Sequence, residues 1–226
     1  MRIELVSFTP DPERICAAAA LGCREVLPAS DLLPGLTVRQ IRSILRTTIR
    51  KGHHSILEHA SFTFSISHVS RVLTHQLVRH RIASYSQQSQ RYVRLDKPSY
   101  TTPPSIAIDS EFNRKYKRLM KDAWGLYSHL VEGKVAEEDA RFVLPNAAST
   151  NIVLTMNARE LLHFFELRCC IQAQWEIRKM ALTMLARVKV VAPTIFENAG
   201  PLCTDCPEGV KSCAMQGRRS PRKKHA

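Results

Sequence analysis

The clearest strand in this chain lies at Ser61–Ser67. Phe62, Phe64 and Ile66 alternate there with Ser61, Thr63, Ser65 and Ser67, the period of a half-buried strand. Arg2–Phe8 and Thr150–Met156 read as strands on the same grounds. Helical spacing accounts for most of the remaining apolar positions. Asp11 before Pro12 predicts an N-cap and a first helical residue, opening a helix that runs to about Arg24. Thr37 and Gln40 make a capping-box pair ahead of Val38, Ile41, Leu45 and Ile49, which share one face, and Gly52 marks the stop. A helix starting at Val69 or Ser70 carries Gln76 and Arg79 toward its C-terminal end. Beyond a connector marked by Pro98, Pro103 and Pro104, a long helix runs from about Ser110 to Glu132. Phe112, Tyr116, Leu119, Ala123, Leu126 and Leu130 are its expected buried stripe. Ala136–Phe142, Ala158–Arg168 and Ala173–Val190 complete the helices. Separated strands among many helices, with no repeating strand–helix alternation, predict an α+β fold.

The length of 226 residues suits one domain with a tail. The expected division is one folded domain over residues 1–195 and a basic, cysteine-containing tail over residues 196–226. A formal net charge of +13 favours phosphate-bearing partners, although Arg218, Arg219, Arg222, Lys223 and Lys224 supply part of it from the tail. Met1–Pro10 reads as a strand and a turn rather than a signal peptide, and no apolar run reaches membrane-spanning length. The expectation is a cytoplasmic protein without a membrane segment. Seven cysteines, an odd number, argue against a disulfide framework in that compartment.

The most informative stretch, Gln76–Arg91, interleaves Arg79, His80, Arg81 and Arg91 with serines and amides and contains no Asp or Glu. Arginine forks match phosphate oxygens, and Ser and Gln can read a heterocycle. The segment therefore suits an anionic, heterocyclic ligand or a nucleic-acid patch. With aromatic residues at 7%, and only Tyr85 and Tyr92 in the basic segment, a base-stacking platform is poorly supported and no nucleic-acid partner is assigned. A second polar cluster comprises Asn157, Arg159, His163 and Arg168. Arg159 and His163 share a helix face, whereas Arg168, nine residues on from Arg159, turns to roughly the opposite side. His53, His54, Ser55, Glu58 and His59 form a third cluster. Its spacing hints at zinc, but nothing else nearby has ligand spacing, and polar contact to a ligand is the preferred reading, with Glu58 and His59 as a structural pair. Ser84, Ser86 and Ser89 lie near His80, yet no local acid orients that histidine, so Ser89 is read as a positioning group rather than a nucleophile. Cys203, Cys206 and Cys213 offer three thiolates without a clear fourth ligand, and no metal site is assigned.

Arg79-His80-Arg81, seven residues and then Ser89 resemble the RHR-x7-S signature of flavin-dependent thymidylate synthases. The resemblance continues in order through Gly52-His53, Ala140-Arg141 before Leu144-Pro145, Asn157-Ala158-Arg159, Leu167-Arg168 and Ala173-Gln174-Trp175-Glu176-Ile177, and covers about Met1–Val190. It implies a central, mostly antiparallel sheet packed with several helices, and a homotetramer with active sites at subunit junctions. It further implies FAD as cofactor, NADPH and methylenetetrahydrofolate as co-substrates, and conversion of dUMP to dTMP. Carried over by motif position, His53, Ser55, Arg79, His80, Arg81, Gln87, Asn157, Arg159 and His163 would line the FAD site. Gln76, Arg79, Gln87, Gln88, Ser89, Gln90, Arg91, Arg141 and Arg168 would surround dUMP, with Arg168 catalytic. Gln87 stands where the family can carry Glu, His163 where Asn also occurs, and Gln90 where Gly is possible.

Overall fold

A computed structural model describes residues 1–201. In chain order the elements are β1 (Arg2–Phe8), α1 (Pro12–Gly22), α2 (Ala29–Leu32), α3 (Val38–Arg50), β2 (Ser61–Ser70), α4 (Arg71–Leu77), β3 (Ala83–Gln87), α5 (Pro104–Ala107), α6 (Ser110–Glu132), α7 (Glu137–Ala140), β4 (Ser149–Asn157), α8 (Ala158–Arg168) and α9 (Trp175–Val191). The strands form one antiparallel four-stranded sheet in the order β1-β2-β4-β3, so the α+β expectation holds. No helix among the described residues is long and apolar enough to cross a membrane. The chain divides into two compact units, one built from Met1–Ile3 with Ser65–Leu154, the other from Glu4–Phe64 with the chain from Thr155 onward.

In the first unit, Ser70 caps α4 by accepting a hydrogen bond from the Leu73 amide at 3.0 Å. Asp109 caps α6, accepting from the amides of Glu111 and Phe112 at 2.9 and 2.8 Å. Each such cap stabilises its helix by about 1 kcal/mol. α6 begins and ends where its pattern predicts, but its buried face is a different one. Met120, Trp124 and Tyr127 are buried, and Met120 and Trp124 cluster with Ala148, Tyr100 and Tyr116. Phe112, Leu119 and Leu126 are exposed, the first two at 59% and 60%. Two apolar stripes about a quarter turn apart compete on this helix, and the one carrying the large indole wins.

In the second unit the capping box at Thr37 and Gln40 forms as expected, and Ile41 and Leu45 of α3 are buried while Val38 is exposed. Asp11 does occupy the N-cap of α1, but in a left-handed conformation (φ 43°), and its carboxylate pairs with Arg14 instead of capping the helix amides. The core is aromatic. Phe196 is fully buried and meets Phe62 and Phe165 edge-on, with centroids 5.5 and 6.0 Å away. The folded chain therefore continues past residue 195. The Glu13 carboxylate accepts from the amides of Thr194 and Ile195, and Arg46 forks onto Glu197 at 2.9 and 3.0 Å. The tail cysteines Cys203, Cys206 and Cys213 lie outside the described residues.

Candidate active site

The first polar cluster is built around the corner after α4. The helix ends at Leu77, so Gln76 is its last polar residue and Arg79 lies beyond it, a correction to the expected helix. The Tyr85 hydroxyl sits 2.9 Å from the Leu77 carbonyl and 2.8 Å from that of His80, one proton serving two acceptors. This clasp ties β3 to the corner. His80 turns inward and is buried, whereas Arg79 and Arg81 on either side are exposed. The polar stretch, for which no strand is predicted, thus contains one, Ala83–Gln87.

The second half of that stretch is tightly positioned. Gln87 donates through its amide to Thr74 and Thr150 hydroxyls at 3.1 and 3.3 Å. The Gln88 amide bonds the Asn151 carbonyl at 2.9 Å, continuing the strand pairing. Ser89 accepts from the Arg91 amide at 3.1 Å, so its hydroxyl shapes the turn through Gln90. The Arg91 guanidinium lies 2.7 Å from the Glu138 carboxylate, and Arg141 donates to the Glu138 carbonyl at 3.0 Å. Glu138 thereby gathers Arg91 and Arg141, which are distant in sequence. Arg71 begins α4 and is half-buried. Burial and the neighbouring Arg141 charge both weaken its hold on its proton. Sequence reasoning missed Thr74, Glu138 and Thr150, which carry no signal until the fold brings them to Gln87 and Arg91.

The second cluster surrounds the start of α8 in the other unit. Asn157 ends β4 and caps α8, its side chain accepting from the Glu160 amide at 2.9 Å. Its amide nitrogen stays available as a donor. The Ala158 amide bonds the Ala60 carbonyl at 2.7 Å, which sets α8 beside the 3-10 turn His54–His59. Glu58 of that turn pairs with Arg159 at 2.5 Å, not with His59 as expected. His163, one turn on, is exposed beside Arg159. Burial pushes the Glu160 carboxyl above the usual carboxylate range, and His163 opposes that shift. His53 and Ser55 are exposed next to Gly52, whose φ of 79° turns the chain out of α3. Arg168 closes the same uninterrupted helix, half-buried and on the side opposite Arg159. It is engaged by another group of the chain.

Both clusters present donors suited to anions. Arg79 and Arg81 are exposed and make no ion pair with a described residue, while Arg159 and Arg91 hold only exposed carboxylates. Among the described residues, no group of three or more His, Cys, Asp or Glu is placed to hold a metal ion.

Residues 4–194 match the family model described as thymidylate synthase complementing protein. The chain belongs to the flavin-dependent thymidylate synthase family. It is 51% identical over 217 residues to the flavin-dependent thymidylate synthase of Geobacter sulfurreducens, covering 94% of each chain. The enzyme of the same name from Clostridium tetani is 44% identical over 231 residues, covering 94% of this chain and 93% of that one. Among solved structures, a UMP/dUMP methylase, PolB from Streptomyces cacaoi bound with 5-Br dUMP, superposes with a TM-score of 0.74 at 25% identity. The match covers 87% of this chain and 93% of that one. The family resemblance read from the Arg79–Ser89 signature is thus established over nearly the whole chain.

Proposed function

We propose that this chain methylates dUMP reductively to dTMP, with FAD as cofactor, NADPH as reductant and methylenetetrahydrofolate as one-carbon donor, acting as a cytoplasmic homotetramer. The observation that carries this reading is the cluster of Arg91, Arg141 and Gln87–Ser89 around Glu138 and Thr74, within a chain belonging to this family.

The donor set fits FAD. A diphosphate needs several fixed cations and a flavin ring needs neutral donors. Arg79, His80, Arg81 and Gln87 from one cluster, and His53, Ser55, Asn157, Arg159 and His163 from the other, are groups of both kinds, which the proposed tetramer would bring together at a subunit junction. When bound, the flavin provides the hydride that completes the methyl group. The chain's own residues bind, orient and polarise. Arg91 and Arg141 hold the nucleotide phosphate, with Arg79 shared between substrate and cofactor. Gln76, Gln87, Gln88, Ser89 and Gln90 fix the orientation of the nucleotide. Arg168, on the far side of α8 from the flavin-binding Arg159, directs its guanidinium at the carbonyl edge of the uracil and stabilises the negative charge that grows there. Ser89 clamps; its hydroxyl already serves the Arg91 amide.

The test is an absorption spectrum followed by turnover. The purified protein should carry or take up FAD. It should form dTMP only when dUMP, NADPH and methylenetetrahydrofolate are all present. A protein that neither retains added FAD nor forms dTMP sinks the reading.

A further inference from the structure

We propose that Thr74 and Thr150 are positioning residues that lock the Gln87 carboxamide with its oxygen toward the ligand, so that Gln87 reads a hydrogen-bond donor and disfavours a ligand lacking one. This rests on the reading that the chain binds dUMP and FAD. The lock joins Thr74 on α4, Gln87 at the end of β3 and Thr150 on β4. Both threonines are buried, at 1% and 3% exposure. The Thr74 hydroxyl donates to the Arg71 carbonyl at 3.0 Å, and that of Thr150 donates more weakly to the Asn151 carbonyl at 3.5 Å. With its one proton given to Arg71, the Thr74 oxygen can only accept from Gln87. The end of the amide that meets it at 3.1 Å is therefore the nitrogen, whose second hydrogen goes to Thr150 at 3.3 Å.

A free glutamine turns its amide to suit a donor or an acceptor. Here a turned amide would set the Gln87 oxygen against the Thr74 oxygen, and Thr74 would have to give up the Arg71 carbonyl to meet it. The frame is fixed as well, because the Gln88 amide bonds the Asn151 carbonyl at 2.9 Å and the Arg71 amide bonds that of Ala148 at 3.0 Å. Both amide hydrogens of Gln87 are thus spent inside the protein. Its oxygen makes no hydrogen bond with a described residue and is not one of the sealed-in polar atoms left without a partner. Toward a ligand, Gln87 is an acceptor of set direction. The ligands of the proposed reaction offer it the imide N–H of uracil, the deoxyribose hydroxyl and the imide N–H of the isoalloxazine ring.

The test uses the full-length protein and measures affinity for FAD and, on the FAD-loaded protein, for dUMP. Each is compared with probes lacking one donor: dUMP methylated at the imide nitrogen, dUMP without the deoxyribose hydroxyl, and FAD methylated at its imide nitrogen. On the unaltered chain one probe should bind about tenfold or more weaker than its parent, which names the donor. Thr74→Val keeps the shape and removes the hydroxyl. It should weaken that parent by about three- to tenfold, the scale of one neutral hydrogen bond, and leave the probe unchanged, so that the preference shrinks. Thr150→Val should act in the same direction. Thr74→Ser should retain the preference. Gln87→Glu, which offers an oxygen at either end, should restore it when combined with Thr74→Val. Equal weakening of parent and probe by Thr74→Val overturns the proposal, as does a preference that it leaves unchanged. If Thr74→Val does not fold, Gln87→Leu decides, and a full preference surviving in that variant overturns the proposal. An unaltered chain that binds both ligands and prefers no parent over its probe also overturns it, whereas one that binds neither FAD nor dUMP refutes the functional reading beneath it.

Discussion

Arg91 and Glu138 form an ion pair at 2.7 Å in which both side chains remain about half exposed. Exposed pairs contribute about 0–1 kcal/mol, so Glu138 is a weak occupant of a guanidinium assigned to the substrate phosphate. Glu138→Gln should tighten dUMP binding by up to roughly fivefold at low salt. Calorimetric titration of the FAD-loaded protein checks this. Weaker binding would mean that Glu138 aims Arg91 rather than competing for it.

Arg159 and Arg168 occupy opposite sides of one helix and should fail differently. Arg168→Ala is expected to retain its flavin spectrum and lose nearly all dTMP formation. Arg159→Ala should lower flavin occupancy at limiting FAD and recover turnover when FAD is in excess. Equal loss of FAD from both variants would show the two ligands to be wrongly divided between the arginines.

Ser89→Ala should keep measurable turnover, with dUMP affinity reduced a few-fold, because the hydroxyl holds the turn that presents Arg91. Losing one neutral hydrogen bond costs about 1 kcal/mol. Abolished chemistry with dUMP still bound would restore Ser89 as a nucleophile.

The parts of the fold that were legible are those with local signals. The ends of β1 and α6 follow from alternation and from the Asp109 cap, and the Thr37–Gln40 box marks the start of α3. β3 was not legible. Ala83–Gln87 is mostly small and polar, and its extended form is held by the Tyr85 clasp and by pairing beyond Gln87 with Asn151. The stripe on α6 was misread because helical periodicity is satisfied by more than one face, and only the tertiary partners Tyr100 and Ala148 select among them. At the site, the motif named Arg91 and Arg141 but could not show that one residue, Glu138, touches both.

Phe196→Ala should destabilise the protein by about 3–5 kcal/mol, since the ring is fully buried between two other aromatics. A fall in melting temperature of roughly 10 °C is the readout. A change of only a degree or two would show that the segment after α9 does not anchor its unit.

Glu160 gives a pH signature. Its folded carboxyl is shifted upward by burial, so the unfolded chain loses this proton first as pH rises. This residue's contribution is therefore greatest below its ordinary value of 4.5 and declines as pH climbs from there through the raised folded value. Glu160→Gln should flatten that part of the stability–pH curve. An unchanged slope in denaturant titrations across acidic pH would refute the assignment.

The Glu13 carboxylate meets the amides of Thr194 and Ile195, partners 181 and 182 residues downstream. During synthesis, α1 therefore leaves the ribosome long before the chain that completes its carboxylate. Closure of this unit waits for residues 194 and 195 to be made and has a long loop to gather, and a ribosome stalled before residue 194 holds a nascent chain in which Glu13 lacks both of these amide partners.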